Sequence, residues 1–64
     1  MSITETIVEV LNGSEGRPVN PTVLINAVLN RTNKKRHSIR ARLSEMRDRY
    51  EIRLDFSGYV HTLA

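Results

Sequence analysis

Residues 34–56 read KKRHSIRARLSEMRDRYEIRLDF, and this stretch decides the fold. Its apolar residues first recur at spacings of four, three and four: Ile39, Leu43, Met46 and Tyr50. Such spacings place side chains on one stripe of a helix. After Tyr50 the pattern changes to the strict alternation of a strand, with one apolar side formed by Ile52, Leu54 and Phe56. The stretch therefore predicts a helix that leads directly into a β-strand.

The strand is predicted to return as the second half of a hairpin. Ser57-Gly58 is a turn signal, and residues 59–63 can form the returning strand. With a two-residue turn, Phe56 would face Tyr59 and Ile52 would face Leu63. We expect the three aromatic side chains to pack in the core and the hairpin rather than to stack on bases: Tyr50, Phe56 and Tyr59.

Two more helices are predicted upstream. Ser2-Ile3-Thr4-Glu5 fits a capping box at the start of the first helix, and Asn12-Gly13 is expected to end it in a left-handed conformation. Asn20-Pro21 is a strong start for the second helix, because asparagine caps and proline loses no needed hydrogen bond. The second helix then extends to about Asn30, and Thr32 or Asn33 could cap the third.

Length and composition limit what the chain can be. Its 64 residues allow one small domain, and the absence of cysteine excludes a disulfide framework and a zinc ribbon. Its apolar runs are far shorter than the ~20 residues that span a bilayer. Residues 1–5 lack the positive start and apolar run of a secretory signal. A soluble, cytoplasmic protein is expected.

The positive charge is concentrated in one segment. Residues 31–50 carry eight Lys and Arg against two Asp and Glu, a net +6, whereas residues 1–30 carry one against three, a net −2. With a sequence pI of about 10.0, this clustering is the electrostatic footprint of a nucleic-acid binder. A solvated basic face that serves only solubility is the alternative.

The order helix, helix, helix, hairpin, together with the stretch Ser38–Ile52, resembles the winged helix-turn-helix family of DNA-binding domains. The resemblance covers nearly the whole chain and implies an α+β fold: a three-helix bundle with a C-terminal β-hairpin, in a single winged-helix domain over residues 1–64. It implies that Pro21 to about Asn30 is the supporting helix and Lys34 to Arg49 the recognition helix. The turn at residues 30–33 lacks the glycine often found there, and the Ser57-Gly58 tip carries no cation.

The third helix can also be divided by its geometry alone. At ~100° per residue, the core stripe leaves an opposite, outward face: Lys34, His37, Ala41, Ser44 and Asp48. Arg36, Arg40 and Arg47 line one flank, and Lys35, Arg42 and Arg49 line the other. This arrangement suits a major groove, which has a floor of base edges between two walls of phosphate. Candidate DNA-binding residues are Lys34, Lys35, Arg36, His37, Ser38, Arg40, Ala41, Arg42, Ser44, Arg47 and Arg53.

Within this set, His37 and Arg40 are the candidates for base edges, with Ser44 and Lys34 behind them, and the small Ala41 permits close approach. Helix N-termini favour negative charge, yet three cations crowd this one at residues 34–36. A bound phosphate would resolve the conflict. The alternative is that residues 34–36 lie in a loop before a helix capped by Ser38.

Other chemistry is not indicated. His37 and His61 have no cysteine or paired carboxylate at ligand spacing, so no metal site is expected. Glu5 and Glu9 share a helix face, which is typical of a solvated surface. With no nucleophile motif and no cofactor fingerprint, we expect neither an enzyme nor a bound cofactor.

Two functions remain open. The first is sequence-specific binding of double-stranded DNA through the third helix, as a small transcriptional regulator or accessory factor. A chain this small makes few contacts, so useful affinity is expected to need a homodimer or neighbouring copies on DNA. The second is a protein-interaction module on the same scaffold, whose basic helix docks on an acidic protein surface without DNA.

Overall fold

Three helices precede an antiparallel hairpin in the computed structural model, which describes residues 2–62. The elements are α1 (Ile3–Asn12), α2 (Pro21–Arg31), α3 (Arg36–Asp48), β1 (Ile52–Leu54) and β2 (Val60–Thr62). The two strands form one sheet. The prediction of a small single α+β domain, with three helices before a hairpin, is confirmed.

The first helix begins as its capping sequence predicts. The Ser2 hydroxyl accepts a hydrogen bond from the Glu5 amide (3.1 Å), and the Glu5 carboxylate accepts one from the Ser2 amide (3.3 Å). The predicted left-handed exit at Asn12-Gly13 is wrong, because Gly13 has φ −68° and continues the helical turn. The left-handed residues come later, at Glu15 and Gly16.

The second helix also begins at its predicted cap, where the Asn20 side chain accepts a hydrogen bond from the Thr22 amide (2.8 Å). It ends at Arg31. The Thr32 hydroxyl donates to the Val28 carbonyl (3.0 Å) and accepts from the Lys34 amide (3.4 Å). None of residues 32–35 has a positive φ, so the turn into α3 needs no glycine.

The third helix is shorter than predicted at both ends. It begins at Arg36 instead of Lys34 and ends at Asp48 instead of Arg49. At its end the Tyr50 amide donates to the Arg47 carbonyl (3.0 Å) and the Glu51 amide to the Met46 carbonyl (2.8 Å), the paired bonds of a Schellman motif. The motif places Tyr50 in the left-handed region, at φ 59°.

The hairpin has a different register from the predicted one. Ile52 faces Thr62, Arg53 faces His61 and Leu54 faces Val60. The predicted partner of Ile52, Leu63, lies outside the described residues. The register prediction was wrong by one residue, because the loop has three residues, Phe56–Gly58, rather than two. Gly58 closes that loop at φ 85°, a conformation that side chains disfavour.

One core joins all the elements. Its buried members come from every helix and both strands: Ile7, Leu11, Leu24, Ile25, Val28, Ile39, Met46, Ile52 and Val60. Val60 also pairs with Val19, each backbone amide donating to the other's carbonyl (2.8 and 2.9 Å). The segment before α2 therefore lies beside β2, on the side opposite β1. The hairpin is held to the helices by this pairing as well as by its packing on α3.

Candidate nucleic-acid interface

The third helix turns one face to the core and the opposite face outward. Ile39 and Met46 are buried, and Leu43 packs partly buried against the core. Four of the predicted outward residues lie in the helix and are exposed: His37, Ala41, Ser44 and Asp48. The fifth, Lys34, is also exposed but precedes the helix. The expected division of α3 into an apolar inner face and a polar outer face is therefore confirmed.

Four cations near the start of α3 have no carboxylate within 4 Å among residues 2–62: Lys34, Lys35, Arg36 and Arg40. All four are exposed. The Arg36 guanidinium donates to the Asn26 side-chain carbonyl in α2 (2.8 Å), which holds it without neutralising it. The first half of α3 therefore presents uncompensated positive charge.

The later arginines are partly engaged within the chain. Arg42 is half-buried; it donates to the Thr4 hydroxyl in α1 (2.9 Å) and lies 3.4 Å from the Glu45 carboxylate. Arg47 lies 3.5 Å from Asp48. Both ion pairs are about half exposed, and such pairs contribute little energy in water. Arg42 therefore serves the α1–α3 contact, whereas Arg47 stays exposed at the other flank.

The N-terminus of α3 differs from those of α1 and α2 because its cap residue makes no side-chain hydrogen bond. Lys35 occupies the cap position without a side-chain hydrogen bond, and Arg36 is the first helical residue. Lys34 precedes the helix, so the predicted start there is wrong. Capping by Ser38 is wrong as well, because Ser38 is a half-buried residue inside the first turn. Two lysines and an arginine surround unsatisfied backbone donors at the positive end of the helix.

The hairpin lies beside the outer flank of α3. A groove of about 340 Å³ is lined by α3 residues (Arg40, Leu43, Ser44 and Arg47), by the start of α2 and by the hairpin residues Ile52, Leu54, Gly58 and Val60. The hairpin tip, marked by Gly58, therefore shares a surface with the outward arginines. Sequence reasoning missed this apposition, because it depends on how the hairpin folds back over α3. Arg53, the candidate DNA-binding residue that lies in the hairpin, is exposed on β1.

Two aromatic side chains that we expected to pack are exposed instead. Phe56 is fully exposed (103% relative exposure) in the hairpin loop, and Tyr50 is 84% exposed after α3. The packing prediction is wrong for both, and Tyr59 is partly exposed as well. The three-residue loop moves Phe56 out of the strand, and the Schellman motif ends the helix before Tyr50. The one sequence signal for the longer loop is Gly58, which can take the left-handed position that closes it.

A carboxylate organises the hairpin loop. One oxygen of Asp55 accepts from the Ser57 amide (2.9 Å) and the Tyr59 amide (3.0 Å), and the other contacts His61 Nε2 at 2.8 Å. These hydrogen bonds, that with His61 first, lower the pKa of Asp55 below its ordinary value. His61, to which the sequence assigned no special role, thus braces the loop that presents Phe56.

Other kinds of site find no support in the described part of the chain. Between residues 2 and 62, His, Asp and Glu side chains nowhere gather in a group of three that could hold a metal ion. Each helix within those bounds is too short or too polar to cross a bilayer.

No family model matches the chain, and no curated protein or solved structure matches it significantly.

Proposed function

We propose that the protein is a winged-helix domain that binds double-stranded DNA with α3 seated in the major groove. The observation that carries the proposal is the outer face of α3, where small or polar residues lie beside four exposed cations that have no carboxylate of residues 2–62 within 4 Å: Lys34, Lys35, Arg36 and Arg40. An anionic polymer is the partner that such a face fits.

Base edges would be read by the middle of the outer face. His37, Arg40 and Ser44 carry the polar groups there, and the small Ala41 between them allows the helix to approach the groove floor. Arginine can bond a guanine edge through two donors, which makes Arg40 the residue best suited to base recognition.

Phosphates would be held on both sides of that strip. Lys34, Lys35 and Arg36 meet one strand at the start of α3, where the helix N-terminus adds its own attraction for an anion. Arg47 and Arg53 are exposed near the hairpin and fit the opposite strand. Arg42 is the weakest of the candidates, because its guanidinium already bonds Thr4.

A regulator or accessory factor fits this size. One copy offers few contacts, so a dimer or neighbouring copies would supply useful affinity. The alternative, docking of the basic helix on an acidic protein surface, remains the competing proposal, and the exposed aromatic residues of the hairpin are compatible with it.

The first experiment is a polarisation titration of a labelled random-sequence duplex at two salt concentrations. Wild-type protein should bind with an affinity that falls steeply with salt, because each neutralised phosphate releases counterions. Lys35→Ala should weaken binding to all duplexes and reduce the salt slope by about 1. Arg31→Ala is the matched control, since Arg31 is already paired with Glu9 at 3.0 Å. Absence of binding at low salt would favour the protein-interaction alternative.

The second experiment tests which residues read sequence. Oligonucleotides selected from a random pool would define a preferred site. Arg40→Ala and His37→Ala should each reduce the preference for that site over random DNA, by about 1–3 kcal/mol for Arg40. Lys35→Ala should weaken binding to the selected duplex and to the random duplex equally. Equal losses on both duplexes for all three variants would contradict the assigned roles.

A further inference from the structure

Phe56 is exposed in a way that folding does not account for. It is an aromatic residue in a hairpin loop, where glycine, asparagine, aspartate and serine are favoured. Its full exposure means that its ring buries no surface against the rest of the described chain. Phe56 is the most exposed of the large apolar side chains of residues 2–62, ahead of Tyr50 (84%) and Val23 (60%), so its ring is free to contact a partner.

The loop that carries Phe56 is firmly held. The Asp55 amide donates to the Tyr59 carbonyl (3.0 Å), and the Gly58 amide donates to the Asp55 carbonyl (2.9 Å). The Asp55 carboxylate adds its bonds to Ser57, Tyr59 and His61. These contacts fix the backbone on both sides of Phe56, so the ring projects from a preformed tip at little further entropic cost on binding.

The hairpin loop adjoins the flank of α3 that carries Arg40. Gly58, two residues from Phe56, lines one groove together with Arg40 and Ser44. If α3 occupies a major groove, an element beside it meets the neighbouring sugar–phosphate strand and the minor groove beyond that strand. The minor groove is only ~6 Å wide, which suits one side chain at a narrow tip.

We propose that Phe56 is an apolar wedge that enters the minor groove next to the α3 site, inserts partly between two base pairs and bends the duplex. Apolar side chains placed in this way unstack a base step and kink DNA towards the major groove. The cations of α3 and Arg53 on β1 hold the flanking phosphates while the ring unstacks the bases. This proposal rests on the proposed DNA-binding function.

The wedge predicts a preference in the DNA as well. Pyrimidine–purine steps such as TA and CA are the easiest to unstack and kink. The selected sites should therefore carry such a step at a fixed distance from the bases that α3 reads. That specificity would arise from DNA deformability at a position where the protein forms no base-edge hydrogen bond.

The test measures DNA bending in solution. A random-sequence duplex of about 30 base pairs, labelled at its ends with an energy-transfer pair, is saturated with protein. Wild-type protein should raise the transfer by an amount that corresponds to a bend of about 20° or more. Phe56→Ala should lose that rise and keep the salt slope of binding, because the ring contacts no phosphate.

Two variants serve as controls. Phe56→Leu should keep most of the bend, since leucine is also an effective wedge. Val23→Ala removes another exposed apolar side chain, 60% exposed on α2, and should leave the bend unchanged.

Four results would overturn the wedge. A straight duplex in the wild-type complex, or equal bending by Phe56→Ala, would refute it while leaving DNA binding in place. A self-associating wild-type protein that becomes monomeric in Phe56→Ala, as measured by sedimentation without DNA, would assign the ring to a contact between copies. A wild-type protein that fails to bind the duplex at low salt would instead refute the proposed function, and the wedge with it.

Discussion

Helix N-termini favour negative charge, and α1 and α3 differ in whether their own residues supply it. At α1, Ser2 and Glu5 bond each other's backbone amides, and a carboxylate lies at the positive end of the helix. At α3, Lys35 provides no side-chain bond, and Arg36 adds positive charge where negative charge is favoured. The first end is completed by its own chain, whereas the cap residue of the second makes no side-chain hydrogen bond.

The difference extends along both regions. In the N-terminal region, Arg31 at the end of α2 is paired with Glu9 of α1. In the C-terminal region, the cations near the start of α3 have no such partner among residues 2–62, and Phe56 is fully exposed. These unpaired charges and the exposed ring lie in the region for which a binding function is proposed.

The largest effect is expected from the core that both regions share. Ile39 is fully buried on the inner face of α3, so Ile39→Ala should cost about 2–5 kcal/mol through lost burial and a cavity. A domain this small has only about 3–5 kcal/mol to lose. Circular dichroism and urea denaturation should show α1 and α3 unfolding together. Ser44→Ala, on the outer face, is the control and should change stability by less than about 0.5 kcal/mol.

Removing the cap of α1, or adding a cap to α3, should change the stability of the fold by an intermediate amount. Ser2→Ala should destabilise the fold by about 0.5–2 kcal/mol. Lys35→Asp should stabilise it by about 0.5–2 kcal/mol, because aspartate caps the helix and complements its dipole. The same variant should bind DNA more weakly. Urea denaturation and the polarisation titration check both effects, and a Lys35→Asp protein with lower stability and unchanged binding would contradict the comparison.

The smallest expected effect is the loss of stability at acidic pH. Hydrogen bonds lower the pKa of Asp55 in the hairpin and the pKa of Glu5 at α1, where Ser2 supplies them. A carboxyl group with a lowered folded-state pKa stabilises the fold above its unfolded pKa, and that contribution is lost as pH falls through the folded value. The free energy of unfolding should therefore decrease between about pH 5 and about pH 2.

Asp55→Asn and Glu5→Gln separate the two contributions to that decrease. Each variant should show a shallower loss of stability in acid than the wild type, and the double variant the shallowest. Urea denaturation at the two pH values measures the slopes. Identical slopes for wild type and both single variants would show that neither carboxylate is responsible.

The parts of the fold that could be predicted from sequence are those governed by neighbours in the chain. Ser2 and Asn20 predict the starts of α1 and α2 because each side chain caps a backbone amide only two or three positions away. The start of α3 was misplaced because no capping residue marks it. Its end was misplaced because the apolar spacing continues through Tyr50, while the backbone turns at Arg49.

The hairpin and the site show the same limit. Two-residue and three-residue loops are both compatible with Ser57-Gly58, and the Asp55 bonds that accompany the longer loop are not visible in the apolar pattern. The exposure of Arg40 and Ala41 follows from helical geometry and was predicted. The engagement of Arg42 by Thr4, and the apposition of the hairpin tip to α3, depend on packing between distant segments.

The pairing of Val19 with Val60 has a consequence for how the protein acquires its shape. It joins positions forty-one residues apart through two backbone hydrogen bonds. The final state can therefore form only once β2 is available, and a pairing between segments so distant in the chain makes folding slower than helix formation alone.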